Sequence, residues 1–202
     1  MDRPVAISGL EKRLVRTFET RGGFGVFDLY LERGLLWQRP EDGVLTRIQY
    51  PPDRHVPSWS WMAYHGGINY MKIPFDGVVW TKDLKSPFKA GTNDWDKRHW
   101  EPDASTRATD LLGVARRLSI SRVDMLTRLF FDERKEYDMD TLRCIVVGKE
   151  KTEVATGEPV HWVLVINPII VVESYELYER VGVGYLLSSH IPSGGASLVR
   201  VR

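Results

Sequence analysis

The sequence predicts an α+β chain that is mainly β: an antiparallel barrel or sandwich with two short N-terminal helices packed against it. Three observations carry that expectation. Residues 1–40 hold helical periodicity, and from about Val44 the chain breaks into short β-type runs with no helices between them. One near-continuous apolar run, Val163 to Val172, has the character of a central strand buried on both faces. Repeated strands without alternating helices argue against a doubly wound sheet. Residues 1–40 therefore read as a helical N-terminal segment, and 41–202 as a β-rich domain with a long loop at about 82–109.

Ser8 can cap a helix, and Glu11 three residues later completes a Ser-x-x-Glu capping box. Leu10, Leu14, Val15 and Phe18 fall on one apolar stripe, with Glu11, Lys12, Arg13 and Arg16 on the other face. Arg21-Gly22-Gly23 is the expected stop. A second helix is expected from Phe24 to about Leu36, with Phe27, Tyr30, Leu31 and Leu35 on one face. So short a pair cannot bury its stripes alone and must dock on the β domain.

Leu45 to Tyr50, Tyr70 to Ile73 and Gly77 to Trp80 read as short strands. Asp110 to Ser119 fits a helix or a strand and leans to strand with its neighbours. Leu142 to Lys149, Val160 to Asn167 and Tyr178 to Leu187 are the clearest strands, rich in β-branched and aromatic residues. Thr156-Gly157-Glu158 marks a hairpin turn. Leu198 to Arg202 reads as a last edge strand or a truncated end. The stretch Lys82 to Thr109 is a long polar loop, part of which Trp95 and Trp100 should hold down.

Composition narrows the function classes. Hydrophobic residues make up 43% of the 202 and charged residues 27%, which excludes disordered and collagen-like chains. The 28 basic and 27 acidic residues nearly cancel, so no global field recruits nucleic acid. Nucleic-acid binding would need Arg116, Arg117, Arg122 and Arg128 on one face. The single cysteine, Cys144, excludes an internal disulfide and sits in an aliphatic run as a buried structural thiol. The start of the chain carries no signal peptide, and Val160 to Val172 is too short and too interrupted to span a bilayer. A cytoplasmic protein with no membrane partner is expected.

Sites for known cofactors fail on inspection. No Walker loop, no Gly-x-Ser-x-Gly elbow and no metal-ligand spacing among His55, His65, His99, His161 and His190 is present, so no metal and no cofactor are expected. A calcium loop at Asp94 fails because Arg98 takes a ligand position. Gly182-Val-Gly184 lacks the rest of a dinucleotide fingerprint and reads as a bulge or a tight strand crossing. Gly22-Gly23-x-Gly25 reads as a helix-terminating turn rather than an anion nest beside Arg21.

One segment, His55 to Tyr70, stands out. On a strand, Trp59 and Trp61 share one face and Ser58, Ser60 and Met62 the other, with Tyr64 beyond them and Gly66-Gly67 as a turn. Two readings stand side by side. The two indoles plug one end of a barrel, their N–H groups bonded to backbone carbonyls. Alternatively they wall an aromatic pocket whose mouth carries Tyr64, His65 and Tyr70.

Val56-Pro-Ser-Trp-Ser-Trp-Met-Ala-Tyr64 followed by Gly66-Gly-Ile-Asn-Tyr70 resembles the region C-terminal to the HET domain in fungal heterokaryon-incompatibility proteins. Asp2 to Leu14 is similar to the stretch that follows the HET domain itself. Leu35-Leu-Trp-Gln-Arg39, Leu142 to Gly148 and Tyr178 to Tyr185 continue the likeness in the same order. The resemblance implies an intracellular protein linked to nonself recognition and a cell-death response. The HET domain lies outside it, so that domain's effector activity does not carry over to residues of this chain.

The expectation is thus a noncatalytic recognition or regulatory domain that binds a protein partner or a HET-type effector domain, or else a small ligand. Its candidate contact residues are Trp59, Trp61, Tyr64, His65, Tyr70, Trp95 and Trp100. The alternative is a hydrolase-like enzyme with a pocket near Trp59, Trp61 and His65, using His65 or His99 beside Asp94 or Asp96.

Overall fold

The computed structural model describes residues 3–52, 54–88, 109–151, 157–172 and 175–202, with backbone alone for 3–6, 171–172 and 175. Helix α1 (Arg3–Thr17) starts well before Ser8. Pro4 sits in the first turn, where its missing N–H costs nothing. Ser8 is therefore inside the helix, and Glu11 does not complete a capping box. Its carboxylate instead accepts the Gly25 N–H at 2.8 Å. The helix ends on a left-handed Glu19 (φ 47°), with Thr20 N–H donating back to Val15 O at 3.1 Å. It stops ahead of Gly22-Gly23. Those glycines instead form β1 (Gly22–Gly23), which pairs with β2 (Val26–Phe27) across Phe24 and Gly25, both at positive φ.

That hairpin takes the residues expected to start the second helix. Tyr30, also left-handed, then precedes a single turn, α2 (Leu31–Gly34). The stripe on α1 is divided as well. Val15 and Glu11 face inward, while Leu10 and Phe18 are 58% and 55% exposed.

Glu11 carries a pH signature. Burial pushes its carboxyl above the ordinary range, against the pull of the Gly25 N–H. The folded chain thus keeps a proton that the unfolded chain has released, so stability falls as pH climbs from the ordinary carboxylate range through the raised one. Glu11→Gln keeps an acceptor for Gly25 and should flatten this slope without lowering the neutral-pH melting temperature. Thermal melts between about pH 4 and 7 would measure it.

Short pairings follow. Strand β3 (Trp37–Gln38) and β4 (Thr46–Arg47) precede a 3-10 turn at Trp61–Ala63; then come β5 (Tyr64–His65) and β6 (Asn69–Tyr70). β3 pairs with β6 and β4 with β5. Next come β7 (Val78–Trp80), β8 (Leu84–Lys85), β9 (Leu111–Arg117), α3 (Arg122–Arg128) and β10 (Leu129–Phe131). The long strands are β11 (Arg143–Glu150), β12 (Val160–Val172) and β13 (Tyr175–Leu187), and β14 (Ser197–Val201) completes the set.

Five strands close a barrel in the order β9, β11, β12, β13, β14 and back to β9. All pairs are antiparallel except β13 with β14. The expected β-rich fold with short helices is present, and Asp110 to Ser119 resolves as a strand. The segment read as a last edge strand is not at an edge: β14 lies between β13 and β9 and closes the cylinder. β7 and β8 extend the sheet beside β11 and β9.

The apolar run of β12 explains itself here. Leu164 and Ile166 point into the barrel with Leu111, Ile145, Val147, Val183 and Val199. Val163 and Val165 point outward, under Met125 of α3, Leu129 of β10, Cys144 and Val181. Alternate side chains fill two clusters, so both faces are buried from Val163 to Ile166, and Ile169 and Ile170 emerge. Cys144 is fully buried, its thiol pushed up to about 12 by burial. β10 lies tight on β13 at Gly182 and Gly184, where a Cβ would run into the Phe130 and Arg128 carbonyls. The register shift at Val165/Ile166 adds a bulge beside them.

Candidate functional site

The His55 to Tyr70 segment does not run as one strand. Ser60 caps the 3-10 turn: its hydroxyl accepts the Met62 N–H at 3.0 Å and donates to Phe24 O at 2.7 Å. That turn sends Trp59 and Trp61 in different directions. Trp59 is fully buried among the barrel residues and donates its indole N–H to Thr109 O at 2.8 Å. Phe24 and Phe88 meet its ring edge-on at 5.9 and 6.3 Å. Trp61 lies against the β1–β2 turn and donates to Gly25 O at 3.2 Å. A side chain on Gly25 would overlap that ring.

Ser58 faces the barrel. Its hydroxyl donates to Arg202 O and accepts the Arg180 N–H at 2.8 Å. Pro57 to Trp61 thus acts as a peg. One pair of successive residues bonds to the barrel side (Ser58, Trp59) and the next pair to the N-terminal hairpin (Ser60, Trp61).

The remaining candidate residues scatter. Tyr64 is buried in a third cluster, 5.6 Å from the Trp37 ring, with the Arg47 guanidinium 5.8 Å over its own. Burial pushes its phenol above the ordinary range, and the nearby Asp132 adds to the rise. His65 is exposed opposite Thr46, and Tyr70 is 51% exposed opposite Trp37. Trp59 is buried in the core, Trp61 lies against the β1–β2 turn, and His65 is exposed on β5. Trp95, Trp100, His99, Asp94 and Asp96 lie outside the described residues.

The strongest electrostatic arrangement is one that sequence reasoning missed. Arg180 of β13 and Asp132, just after β10, form a fully buried bidentate pair: Nε to Oδ2 and Nη2 to Oδ1, both 3.0 Å. Arg180 Nη1 also donates to Leu35 O at 2.6 Å and Nη2 to Trp37 O, while the guanidinium lies 3.3 Å from the Trp37 ring centroid. Burial pushes the Asp132 carboxyl up, opposed by the charge and hydrogen bonds of Arg180. A second pair flanks it, Arg47 to Glu179 at 3.2 Å. The signal that could have found Arg180 was a lone cation inside the apolar strand Leu177 to Leu187.

Chemically this centre is a clamp. Four guanidinium donors are spent on one carboxylate and two main-chain carbonyls from the segment that carries Trp37. It ties the N-terminal elements to the barrel wall. Among the described residues no group of three potential metal ligands forms, and no helix is long and apolar enough to cross a membrane. Compared with family models, with curated proteins and with solved structures, the chain matches none.

Proposed function

We propose that this chain is a noncatalytic recognition or regulatory module of a heterokaryon-incompatibility-like protein, acting with a HET-type effector domain. The observation that carries the reading is on α1. Leu10 and Phe18, from the stripe expected to dock inward, face solvent, and Lys12, Arg13 and Arg16 are exposed beside them. The stretch Asp2 to Leu14 resembles the one that follows the HET domain, so this face is the one such a domain would meet first. Exposed apolar side chains gathered in a patch mark protein-contact surfaces. Trp59 and Trp61 serve as internal fasteners, so the contact surface of this reading lies on α1 and not on those two indoles.

The test is association of the purified chain with a HET-type domain supplied in trans, followed by calorimetry. Leu10→Asp and Phe18→Asp should weaken binding at least about tenfold, since an interface anchor is worth more than about 1 kcal/mol. Melting temperatures should stay unchanged because both side chains are exposed. No association with the folded wild-type chain would overturn the reading.

A further inference from the structure

We propose that Ser119 is a phosphorylation site, the acceptor for a basophilic serine/threonine protein kinase that reads paired arginines. The chain has one Arg-Arg dipeptide, Arg116-Arg117, and it is followed by Leu118, Ser119 and Ile120. Two guanidinium groups thus stand three and two positions before the hydroxyl, with an aliphatic residue just after it. Kinases of this class select substrates by charge pattern, pairing carboxylates of the peptide cleft with the arginines.

The fold presents this serine outward. Residues 118–121 connect β9 to α3 and belong to neither. Leu118 and Ile120 are partly buried against the outer cluster, and Ser119 between them is exposed. One backbone bond, Ser119 N–H to His190 O at 2.9 Å, holds the segment on the surface. Arg117 is exposed, while Arg116 is paired with Asp83 at 2.9 Å on a partly exposed face. Kinase engagement therefore exchanges Asp83 for a carboxylate of the enzyme. Ser121 is exposed too, but it caps α3: its hydroxyl donates to Asp124 Oδ2 at 2.6 Å and accepts the Asp124 N–H at 3.1 Å.

In the transfer, Ser119 Oγ bonds to the γ-phosphorus of ATP as the bond to the β–γ bridging oxygen breaks. ADP leaves, and the hydroxyl proton passes to the kinase's catalytic aspartate. The product places about two negative charges between exposed Arg117 and Arg122 and takes the net charge of the chain from +1 to about −1.

The experiment incubates the folded chain with MgATP and the catalytic subunit of cyclic-AMP-dependent protein kinase, read by intact mass and peptide mapping. One phosphoryl group is expected at Ser119, none in Ser119→Ala, and retention of labelling in Ser121→Ala. Arg117→Ala should lower kcat/KM about tenfold, the loss of one charge-assisted pair. Asp83→Asn should raise it up to about fivefold, the worth of an ion pair at a partly exposed site. Failure of the folded chain to take up phosphate overturns the proposal. So does labelling that survives Ser119→Ala, or labelling confined to the denatured chain.

Discussion

Arg180→Met, with Asp132 left in place, should lower the folding free energy by about 3–5 kcal/mol, the usual cost of orphaning one member of a buried ion pair. The size follows from what the guanidinium satisfies. Asp132 is fully buried and would lose both of its Arg180 hydrogen bonds, while the Leu35 and Trp37 carbonyls would lose their shared donor. Removing the carboxylate as well, in Arg180→Met/Asp132→Leu, should recover only part of the loss. Apolar pairs often replace buried ion pairs without cost. Here, however, two main-chain carbonyls stay unpaired, at about 1–3 kcal/mol each. Denaturant unfolding of the two variants measures this, through a shift of midpoint at constant m. A loss below about 1 kcal/mol for the single variant would mean that the pair is hydrated rather than enclosed.

Trp59→Ala should cost about 3–5 kcal/mol, the range for truncating a buried aromatic. The ring is fully enclosed, two phenylalanines pack on its edges, and Thr109 O has its indole as donor. Trp61→Phe should cost about 1 kcal/mol, because the ring is partly exposed and its one hydrogen bond is long. Calorimetric melting of both variants ranks them. A Trp59→Ala chain that keeps its melting temperature would contradict the peg and return Trp59 to the list of ligand contacts.

The barrel was largely legible in the sequence because its strands are long and their pattern is set by burial. The run Val163 to Ile166 is apolar without interruption since both faces are covered, and β-branched residues mark β11 and β13 in the same way. The N-terminal part was less so. Beyond the β1–β2 hairpin its two-residue strands pair with distant segments, as β3 does with β6, and no local period records such a contact. The second helix failed for a local reason: backbone at positive φ at Phe24, Gly25 and Tyr30 outweighs an apolar spacing that also suits a hairpin and one turn. The aromatic segment was legible in kind but not in direction, because the Ser60 cap turns a strand-like alternation into a fork. The Arg180–Asp132 pair joins residues far apart in the chain, and only the oddity of an arginine inside an apolar strand hints at it.

The parallel seat of β14 between β13 and β9 also sets the order of assembly. During synthesis the ribosome delivers β9, β11, β12 and β13 first, and the cylinder stays open as a curled sheet until Ser197–Val201 arrives. Until then the facing edges of β9 and β13 offer unpaired main-chain groups to any passing strand. The β12–β13 hairpin can form from neighbouring residues, but closure joins Leu111 to Val201 and Ser58 to Arg202, separations of 90 and 144 residues. Such long-range joining is slow compared with hairpin formation. A nascent chain halted before Ser197 would be an aggregation-prone species of this protein, and its yield in cells would depend on holdase chaperones more than that of a chain with the barrel closed.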